Sequence, residues 1–398
     1  MDQKTGMGRR EFLKTTTTGF GGFAYLSANL TRPPDAPEKF EGTRVLGRTG
    51  MRVPIVSMGV MNTDNPQLVR AALDAGYVYL DTAQGYQRGT NEAMIGEILK
   101  GRPRASFVIA TKASLPKDQA SGGYGPDATE EVYTKKIDTS LKSLGLDHID
   151  LYHHHGTWTR GATLYEPILA ALQKAKQAGK IRWIGVSTHR NEPEVIDAAI
   201  EAKVYDVILP AYNFRQQHAA EVQKAIARAA AAGLGVVGMK SMGGNRGGAY
   251  ASAQIDARAC IKWVLQDPNV ATVICGFTTF DQMTLDMSIL KDLTLTASER
   301  EQLRQAASTA GLYCQGCGVC VGQCRQALPI PDLMRAHMYV YGYRNLVAAQ
   351  DLVLSLALPG DVCGECGACP VACANRWDVS LRVRDVVRLR DVPPGFVA

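Results

Sequence analysis

The sequence has little excess charge, no long apolar run and no glycine-rich flavin fingerprint, and each absence excludes a class of protein. Its net charge is +6 over 398 residues, and the excess is spread so thinly that we expect no nucleic-acid partner. The N-terminal run Thr15 to Leu30 is too short and too polar for a stable membrane span, so we do not expect an integral membrane protein. No Gly-x-Gly-x-x-Gly motif stands between a strand and a helix, as flavin binding would require.

The first 34 residues have the pattern of a targeting segment. Arg9-Arg10-Glu11-Phe12-Leu13-Lys14 is a twin-arginine pattern, and the weakly apolar run behind it ends at the breaker Arg32-Pro33-Pro34. We therefore predict a twin-arginine signal peptide and linker over residues 1–34 and a periplasmic mature protein. A disordered basic tail is the alternative reading of the same residues.

Eight strand-length apolar runs alternate with amphipathic helix-length segments over residues 42–298. This alternation is typical of a parallel sheet covered by helices, and eight units in about 240 residues predict an α/β fold, the (β/α)8 TIM barrel. The predicted strands are 55–60, 77–81, 106–112, 148–154, 181–187, 206–212, 235–240 and 270–276. Examples of the predicted helices are Thr129–Leu144, Leu164–Ala178, His218–Ala232 and Ala253–Gln266.

Several of these runs end on polar side chains. Asp81 ends the second strand with Tyr86 five residues later, Lys112 ends the third, and His155 follows the fourth. Because the C-terminal ends of barrel strands meet on one face, we predict that these four side chains share a pocket. The alternative is a buried Asp–Lys pair with a chance tyrosine and histidine.

Four short motifs carry a resemblance to a known family. Asp-Thr-Ala-x-x-Tyr from Asp81, Ala-Thr-Lys to Lys112, Asp-Leu-Tyr-x-x-His to His155 and Ile-Gly-Val-Ser to Ser187 occur in this order. The chain resembles the aldo/keto reductases at these residues and over roughly residues 42–295. The segment from Val45 to Pro54 also looks like the hairpin that closes the bottom of their barrel.

The resemblance implies an oxidoreductase acting on a small-molecule carbonyl or alcohol substrate. In it Tyr86 is the proton donor, Lys112 lowers the pKa of the phenol, Asp81 orients Lys112, and His155 hydrogen-bonds the carbonyl oxygen. Strand alternation places His153 on the face of His155 and His154 on the other, so the three histidines should not converge on a metal.

The resemblance also implies NAD(P) as a possible cofactor, contacted by Ser187, Thr188, Lys240 and Gly276. These positions depart from the family pattern. Thr188 stands where an asparagine is usual, and Lys240 stands where a tyrosine usually stacks on nicotinamide. The residues after Gly276 lack the basic side chains that would hold a 2′-phosphate. We therefore expect nicotinamide to bind weakly.

Eight of the ten cysteines form two copies of the spacing C-x2-C-x2-C-x3-C. This is the signature of a two-cluster [4Fe–4S] ferredoxin, in which each fourth cysteine serves the other cluster. Two zinc sites or disulfides are the alternatives. Proline does not follow either fourth cysteine, which leaves the cluster pairing open. The predicted ligands are Cys314, Cys317, Cys320 and Cys324 in the first copy, and Cys363, Cys366, Cys369 and Cys373 in the second.

The C-terminal residues 299–398 are therefore predicted to be a small α-helical ferredoxin-type iron–sulfur domain. One more helix is expected at 299–311, and two helices within Asp332–Leu358 should pack this domain onto the barrel. A longer loop, Ala113 to Asp127, follows the third strand and is either a substrate lid or a solvated insertion.

Taken together, the motifs resemble a subset of aldo/keto reductases that carries a twin-arginine signal and a ferredoxin-type C-terminus. We expect an exported oxidoreductase whose clusters are structural or exchange electrons with a redox partner. The alternative is a nicotinamide-independent electron-transfer protein that uses the barrel as a scaffold.

Overall fold

Eight parallel strands close into a barrel in a computed structural model that describes residues 42–118, 121–244, 255–308, 311–364 and 366–397. The predicted signal over 1–34 lies outside the described residues. A two-stranded antiparallel hairpin precedes the barrel. The hairpin strands are β1 (Thr43–Val45) and β2 (Arg52–Pro54). The barrel strands are β3 (Val56–Gly59), β4 (Tyr79–Asp81), β5 (Val108–Ala113), β6 (Ile149–His154), β7 (Ile181–Thr188), β8 (Val207–Pro210), β9 (Gly235–Gly238) and β10 (Thr272–Cys275).

Helices follow the barrel strands and continue beyond the last one. Those that cover the barrel are α1 (Pro66–Asp74), α2 (Asn91–Leu99), α3 (Glu130–Leu144), α4 (Arg160–Thr163), α5 (Glu166–Gln177), α6 (Glu192–Ala202), α7 (Ala219–Ala231), α8 (Ala257–Leu265) and α9 (Phe280–Ser288). Those after the barrel are α10 (Ala297–Ser308), α11 (Ile330–Tyr341), α12 (Leu346–Ser355) and α13 (Val379–Val387). None of the helices in the described ranges has both the length and the apolar character needed to cross a membrane.

The predicted (β/α)8 barrel is confirmed, and each predicted strand end lies within two residues of the observed one. Strand pairing runs in sequence order and closes where β10 pairs with β3. The short apolar runs form these strands because both faces of each are buried, one in the barrel interior and one under the helices. Neighbouring strands therefore end at one rim, which the predicted site requires.

The hairpin of β1 and β2 closes the bottom of the barrel, as the resemblance implied. Its Leu46 is fully buried and packs with interior residues such as Val237. Gly47 between the strands has φ +50°, and a Cβ there would overlap the backbone of Gly235. Only glycine allows this close approach. The opposite rim stays available for chemistry.

The residues after the barrel cover that opposite rim. Helix α10 packs on the barrel itself, because its Leu303 and Ala306 share a core with Phe214. The predicted boundary at residue 298 therefore falls inside α10. Helices α11 and α13 have their own apolar core around Leu333. We call residues 311–397 the C-terminal module. Its residues Tyr313, Met338 and Tyr339 form a further apolar cluster with Ala211, next to the end of β8.

Candidate active site

A cavity of about 260 Å³ opens at the C-terminal ends of the barrel strands. Asp81, Tyr86, Lys112 and His155 all line it, although they come from three different strand ends. The structure therefore brings together the four side chains that the strand-end pattern selected. The cavity is slightly smaller than the ~300–1,000 Å³ of typical small-molecule pockets.

Lys112 and Asp81 form a buried ion pair on adjacent strands β5 and β4. The Lys112 Nζ atom lies 2.5 Å from Asp81 Oδ1 and 2.7 Å from the carbonyl oxygen of Thr82. Both side chains are only 2% exposed. Burial raises the pKa of Asp81 and lowers that of Lys112, and the attraction between the two charges opposes both shifts. The pair fixes a single ammonium position beside Tyr86.

Tyr86 stands at the start of a strained turn. Two residues after it in succession, Gln87 and Arg88, have left-handed backbone, with φ of 51° and 54°. Side-chain bonds hold this turn, since the Gln87 amide donates to Thr63 O at 2.5 Å and Arg88 donates to Gln350 Oε1 at 2.8 Å. Gln350 belongs to α12, so the C-terminal module supports the turn that carries Tyr86.

The Tyr86 phenol faces the ion pair and a histidine. Lys112 Nζ lies 5.2 Å from the centroid of the Tyr86 ring, and the ring of His155 is 6.3 Å away, edge to face. Burial lowers the pKa of His155 well below its usual range, aided by the nearby charge of Lys112. His155 is therefore a neutral imidazole, which can donate one hydrogen bond.

The expected lowering of the Tyr86 pKa is wrong for this structure. Burial raises the pKa of Tyr86 well above 10, and the negative charge of Asp81 adds to the shift. Lys112 is already paired with Asp81 at 2.5 Å, so its charge is largely neutralised as seen from the phenol. Tyr86 is therefore held firmly in its protonated form.

The three adjacent histidines point in alternating directions, as strand geometry predicts. His154 is the last residue of β6, and its Nε2 is 2.5 Å from the hydroxyl of Tyr124 and its Nδ1 is 3.0 Å from that of Tyr205. His153 is buried beside Gly185 of the neighbouring strand. His155 alone of the three lines the cavity.

The candidate cofactor residues divide into two pairs. Lys240 and Gly276 line the cavity, whereas Ser187 and Thr188 do not. Ser187 Oγ accepts a hydrogen bond from Gly156 N at 2.9 Å, and Thr188 Oγ1 donates to the carbonyl of Arg190 at 2.7 Å. Their side chains stabilise the loops after β6 and β7 instead of facing a ligand.

Part of the cavity wall comes from the C-terminal module, which the sequence patterns did not indicate. Arg335, Tyr339 and Tyr343 line the cavity together with the barrel residues. The rings of Tyr339 and Tyr343 are stacked with centroids 5.6 Å apart, and Lys240 Nζ lies 5.4 and 5.0 Å from them. Arg335 and Tyr339 stand four residues apart on α11, a spacing that places both side chains on one helix face and was the available signal in the sequence.

The proposed lid does not reach this cavity. Among the described residues of the loop from Ala113 to Asp127, none lines it. Tyr124 instead packs on Tyr165, and Lys117 lies over the ring of Trp158. The function expected of a lid, covering the pocket, is performed by the module.

The eight module cysteines form two neighbourhoods. Cys324 lines a cavity together with Cys363, Cys366 and Cys369, so the fourth cysteine of the first motif lies with the second motif. No three His, Cys, Asp or Glu side chains in the described ranges are positioned to hold a metal ion. None of the eight cysteines is in a disulfide.

The first neighbourhood adjoins the active-site cavity. Cys317 and Cys373 lie close enough to Cys320 to raise the pKa of its thiol further, after burial as the main cause. Cys314 lines a small cavity together with His189, Lys240 and Arg335, and these three also line the active-site cavity. The same side chains therefore separate the cysteine module from the barrel site.

Comparison with known proteins identifies a family over the barrel. The model of the aldo/keto reductase family matches residues 50–254. An aldo-keto reductase of Mycolicibacterium vanbaalenii is 30% identical over 261 residues, which cover 63% of this chain and 87% of that protein. The solved aldo-keto reductase AKR11C1 from Bacillus halodurans, in its holo form, has 27% identity and a TM-score of 0.54, and the match covers 68% of this chain and 97% of that one.

Other relatives match over shorter stretches. L-galactose dehydrogenase of Arabidopsis thaliana is 34% identical over 36% of this chain and 47% of its own length. L-glyceraldehyde 3-phosphate reductase of Escherichia coli is 28% identical over 43% of this chain and 53% of its own. The chain thus spans about half the length of these curated relatives.

We predict that Asp81→Asn destabilises the fold by roughly 3–5 kcal/mol, because it leaves the Lys112 charge buried without its partner. Chemical denaturation of the holoprotein gives the free energy of unfolding. Glu131→Gln is the control, because it breaks the exposed pair with Lys135 and should leave stability nearly unchanged. Equal effects of the two substitutions would contradict the assigned burial of the pair.

Proposed function

Because this chain belongs to the aldo/keto reductase family, a family of oxidoreductase enzymes, we propose that it interconverts a carbonyl and an alcohol on a small molecule. The observation that carries this proposal is the convergence of Asp81, Tyr86, Lys112 and His155 on one cavity. A buried ion pair alone would need neither a phenol nor a neutral imidazole beside it. The activity, the substrate and the partners of the whole chain are part of the proposal.

In the proposed reaction Tyr86 is the general acid. Reducing a carbonyl to an alcohol adds two electrons and two protons: a bound reductant, either NAD(P)H or a reduced iron–sulfur cluster, would supply the electrons, one hydrogen goes to the carbon and one proton goes to the oxygen. The phenol of Tyr86 carries this proton at neutral pH, and because burial raises its pKa it donates the proton only as negative charge develops on the oxygen. The neutral His155 donates a hydrogen bond to the same oxygen, which stabilises the negative charge that develops there.

The Lys112–Asp81 pair has a positioning and electrostatic role. Once Tyr86 has given up its proton, the phenolate lies beside the Lys112 ammonium, whose Nζ is 5.2 Å from the ring centroid. Asp81 and the carbonyl of Thr82 hold that ammonium in place. The pair therefore fixes an ammonium beside the phenol, although burial and the charge of Asp81 keep the pKa of Tyr86 raised before the reaction.

We propose that the cysteine module holds two [4Fe–4S] clusters, on the chemistry of its ligands. Eight thiols that are not in disulfides, in two copies of the cubane spacing, supply four thiolates for each cluster. We propose Cys314, Cys317, Cys320 and Cys373 for one cluster, and Cys324, Cys363, Cys366 and Cys369 for the other. When bound, such clusters supply single electrons.

The residues over Lys240 do not fit nicotinamide in the family position. The rings of Tyr339 and Tyr343 lie about 5 Å from the Lys240 ammonium, at the strand end where the family holds that ring. Ser187, which accepts from Gly156 N in the loop after β6, and Thr188, which donates to Arg190 O in the loop after β7, are the other candidate contacts. We propose that nicotinamide binds weakly, and no step is derived through it.

A second function is favoured by the position of Cys314. It shares a cavity with three residues of the active-site wall, which suits electron exchange between the module and the pocket. A nicotinamide-independent electron-transfer protein that uses the barrel as a scaffold is therefore the alternative. A redox partner protein would serve either function. The complete set of four catalytic side chains supports the enzyme.

We predict that Tyr86→Phe lowers turnover of a carbonyl substrate by about 10²–10⁴-fold, the contribution typical of a general acid. Substrate affinity and fold should change little, because only the hydroxyl is removed. Steady-state kinetics on the holoprotein measure kcat and KM separately. Tyr165→Phe, at a half-buried tyrosine away from the cavity, is the control. Turnover within about tenfold of the unmodified protein would reject this role for Tyr86.

Anaerobic purification followed by iron, sulfide and nucleotide analysis tests the proposed cofactors. We predict about eight irons per chain, the content of two cubanes, and no tightly bound nicotinamide. Cys317→Ala and Cys366→Ala should each remove one cluster, whereas Cys260→Ala, in the barrel core, should keep both. Stoichiometric zinc would contradict the clusters, and cluster reduction by micromolar NADH or NADPH would contradict weak nicotinamide binding.

We propose export to the periplasm from the paired arginines at positions 9 and 10. Replacing both with lysine should retain the precursor in the cytoplasm, because the twin-arginine route distinguishes the two side chains. Cell fractionation with an antibody against the mature protein measures the distribution. Lys4→Arg is the control, and it should be exported normally. Undiminished export of the double lysine variant would contradict this proposal.

A further inference from the structure

The wall of the active-site cavity carries more positive than negative charge. Three cationic side chains line it, namely Lys112, Lys240 and Arg335, whereas Asp81 is the one carboxylate on the described wall. Asp81 is already paired with Lys112 at 2.5 Å. Two cations, one from the barrel and one from the module, therefore face the cavity without a carboxylate beside them on its wall.

The carboxylate behind Arg335 does not balance this excess. Asp332 accepts a hydrogen bond from Arg335, and it also lies 3.5 Å from Arg190. One carboxylate thus serves two guanidinium groups. Buried or half-buried charge is costly without a partner, so this side of the cavity has a net positive charge that an anion would stabilise.

Lys240 lies at the cavity surface beside two aromatic rings. Its backbone is left-handed, with φ +58°, and its ammonium lies over the rings of Tyr339 and Tyr343. No carboxylate in the described ranges forms an ion pair with it. Burial is the main cause and the charges of Arg335 and Lys112 the next, and together they lower the pKa of Lys240 to about 7. An anion in the cavity would reverse that shift.

Two kinds of anion could balance this positive charge: the thiolates of the module, or a ligand in the active-site cavity. The cationic side chains differ in which of the two cavities they line. Arg190 faces the module, because it lines the small cavity of Cys314 and does not line the active-site cavity. The charges that act on Lys240, in contrast, are Arg335, Lys112 and Asp81, which all line the active-site cavity. Lys240 and Arg335 line both cavities, unlike Arg190, so they are the cations that a ligand in the active-site cavity can reach.

We propose that Lys240 and Arg335 form an anion subsite, and that the substrate is a small carbonyl or hydroxy compound bearing a carboxylate or phosphate group. This inference rests on the proposed function and adds the substrate class. The anionic group lies at Lys240 and Arg335, while the reacting oxygen faces Tyr86 and His155 across the same cavity. The volume of about 260 Å³ limits the substrate to a small molecule.

Calorimetric titration of the holoprotein with pyruvate, methyl pyruvate and inorganic phosphate tests the subsite. We expect pyruvate or phosphate to bind at least tenfold tighter than methyl pyruvate, which lacks the charge. Tighter binding of pyruvate assigns a carboxylate substrate, and tighter binding of phosphate assigns a phosphate-bearing one. Both results support the subsite, whereas it is overturned if neither pyruvate nor phosphate binds tighter than methyl pyruvate.

Two substitutions at Lys240 test whether its positive charge binds the anion. Lys240→Met should weaken anion binding at least tenfold, about 1.4 kcal/mol, while Lys240→Arg should keep it within about threefold. Lys135→Met, at an exposed lysine on α3, should bind anions like the unmodified protein. Full anion affinity in Lys240→Met overturns the subsite. These experiments measure anion binding, whereas the Tyr86→Phe experiment measures turnover. Failure of the subsite can therefore be distinguished from failure of the proposed reaction.

Discussion

The close approach of α11 to the rim of the barrel is the constraint on which the site depends. A Cβ at Gly342 would overlap the carbonyl oxygen of Gly244 in the loop after β9, and a Cβ at Gly244 would overlap Met338. Two glycines therefore permit this contact. It places Tyr339 and Tyr343 over Lys240, so the module forms part of the pocket as well as covering it.

Covering the rim sets the electrostatics of the pocket. Removal from water is the main cause of the raised pKa of Tyr86 and of the lowered pKa values of Lys112, His155 and Lys240. In each case burial favours the neutral form of the group. The site therefore holds a protonated phenol, a neutral imidazole and one ion pair. This is a combination suited to proton transfer to an oxygen.

The barrel and the four catalytic candidates could be predicted from sequence because strand period and strand ends are local patterns. Arg335 and Tyr339 could not, since apolar spacing shows that a helix packs but not which partner each face meets. Ser187 and Thr188 were selected by family position, but local hydrogen bonds engage their side chains. The pKa of Tyr86 depends on burial and on the Lys112–Asp81 distance, which no sequence pattern gives.

The bond from Arg88 to Gln350 joins residues 262 positions apart in the chain. The turn that carries Tyr86 is synthesised long before α12. Gln350 of α12 then holds the turn through this hydrogen bond. A ribosome must therefore translate nearly the whole chain before the catalytic turn can reach its final geometry. Any chain that ends early has a barrel with an open rim and an unsupported Tyr86. The geometry of the Tyr86 turn thus depends on a helix that is translated much later.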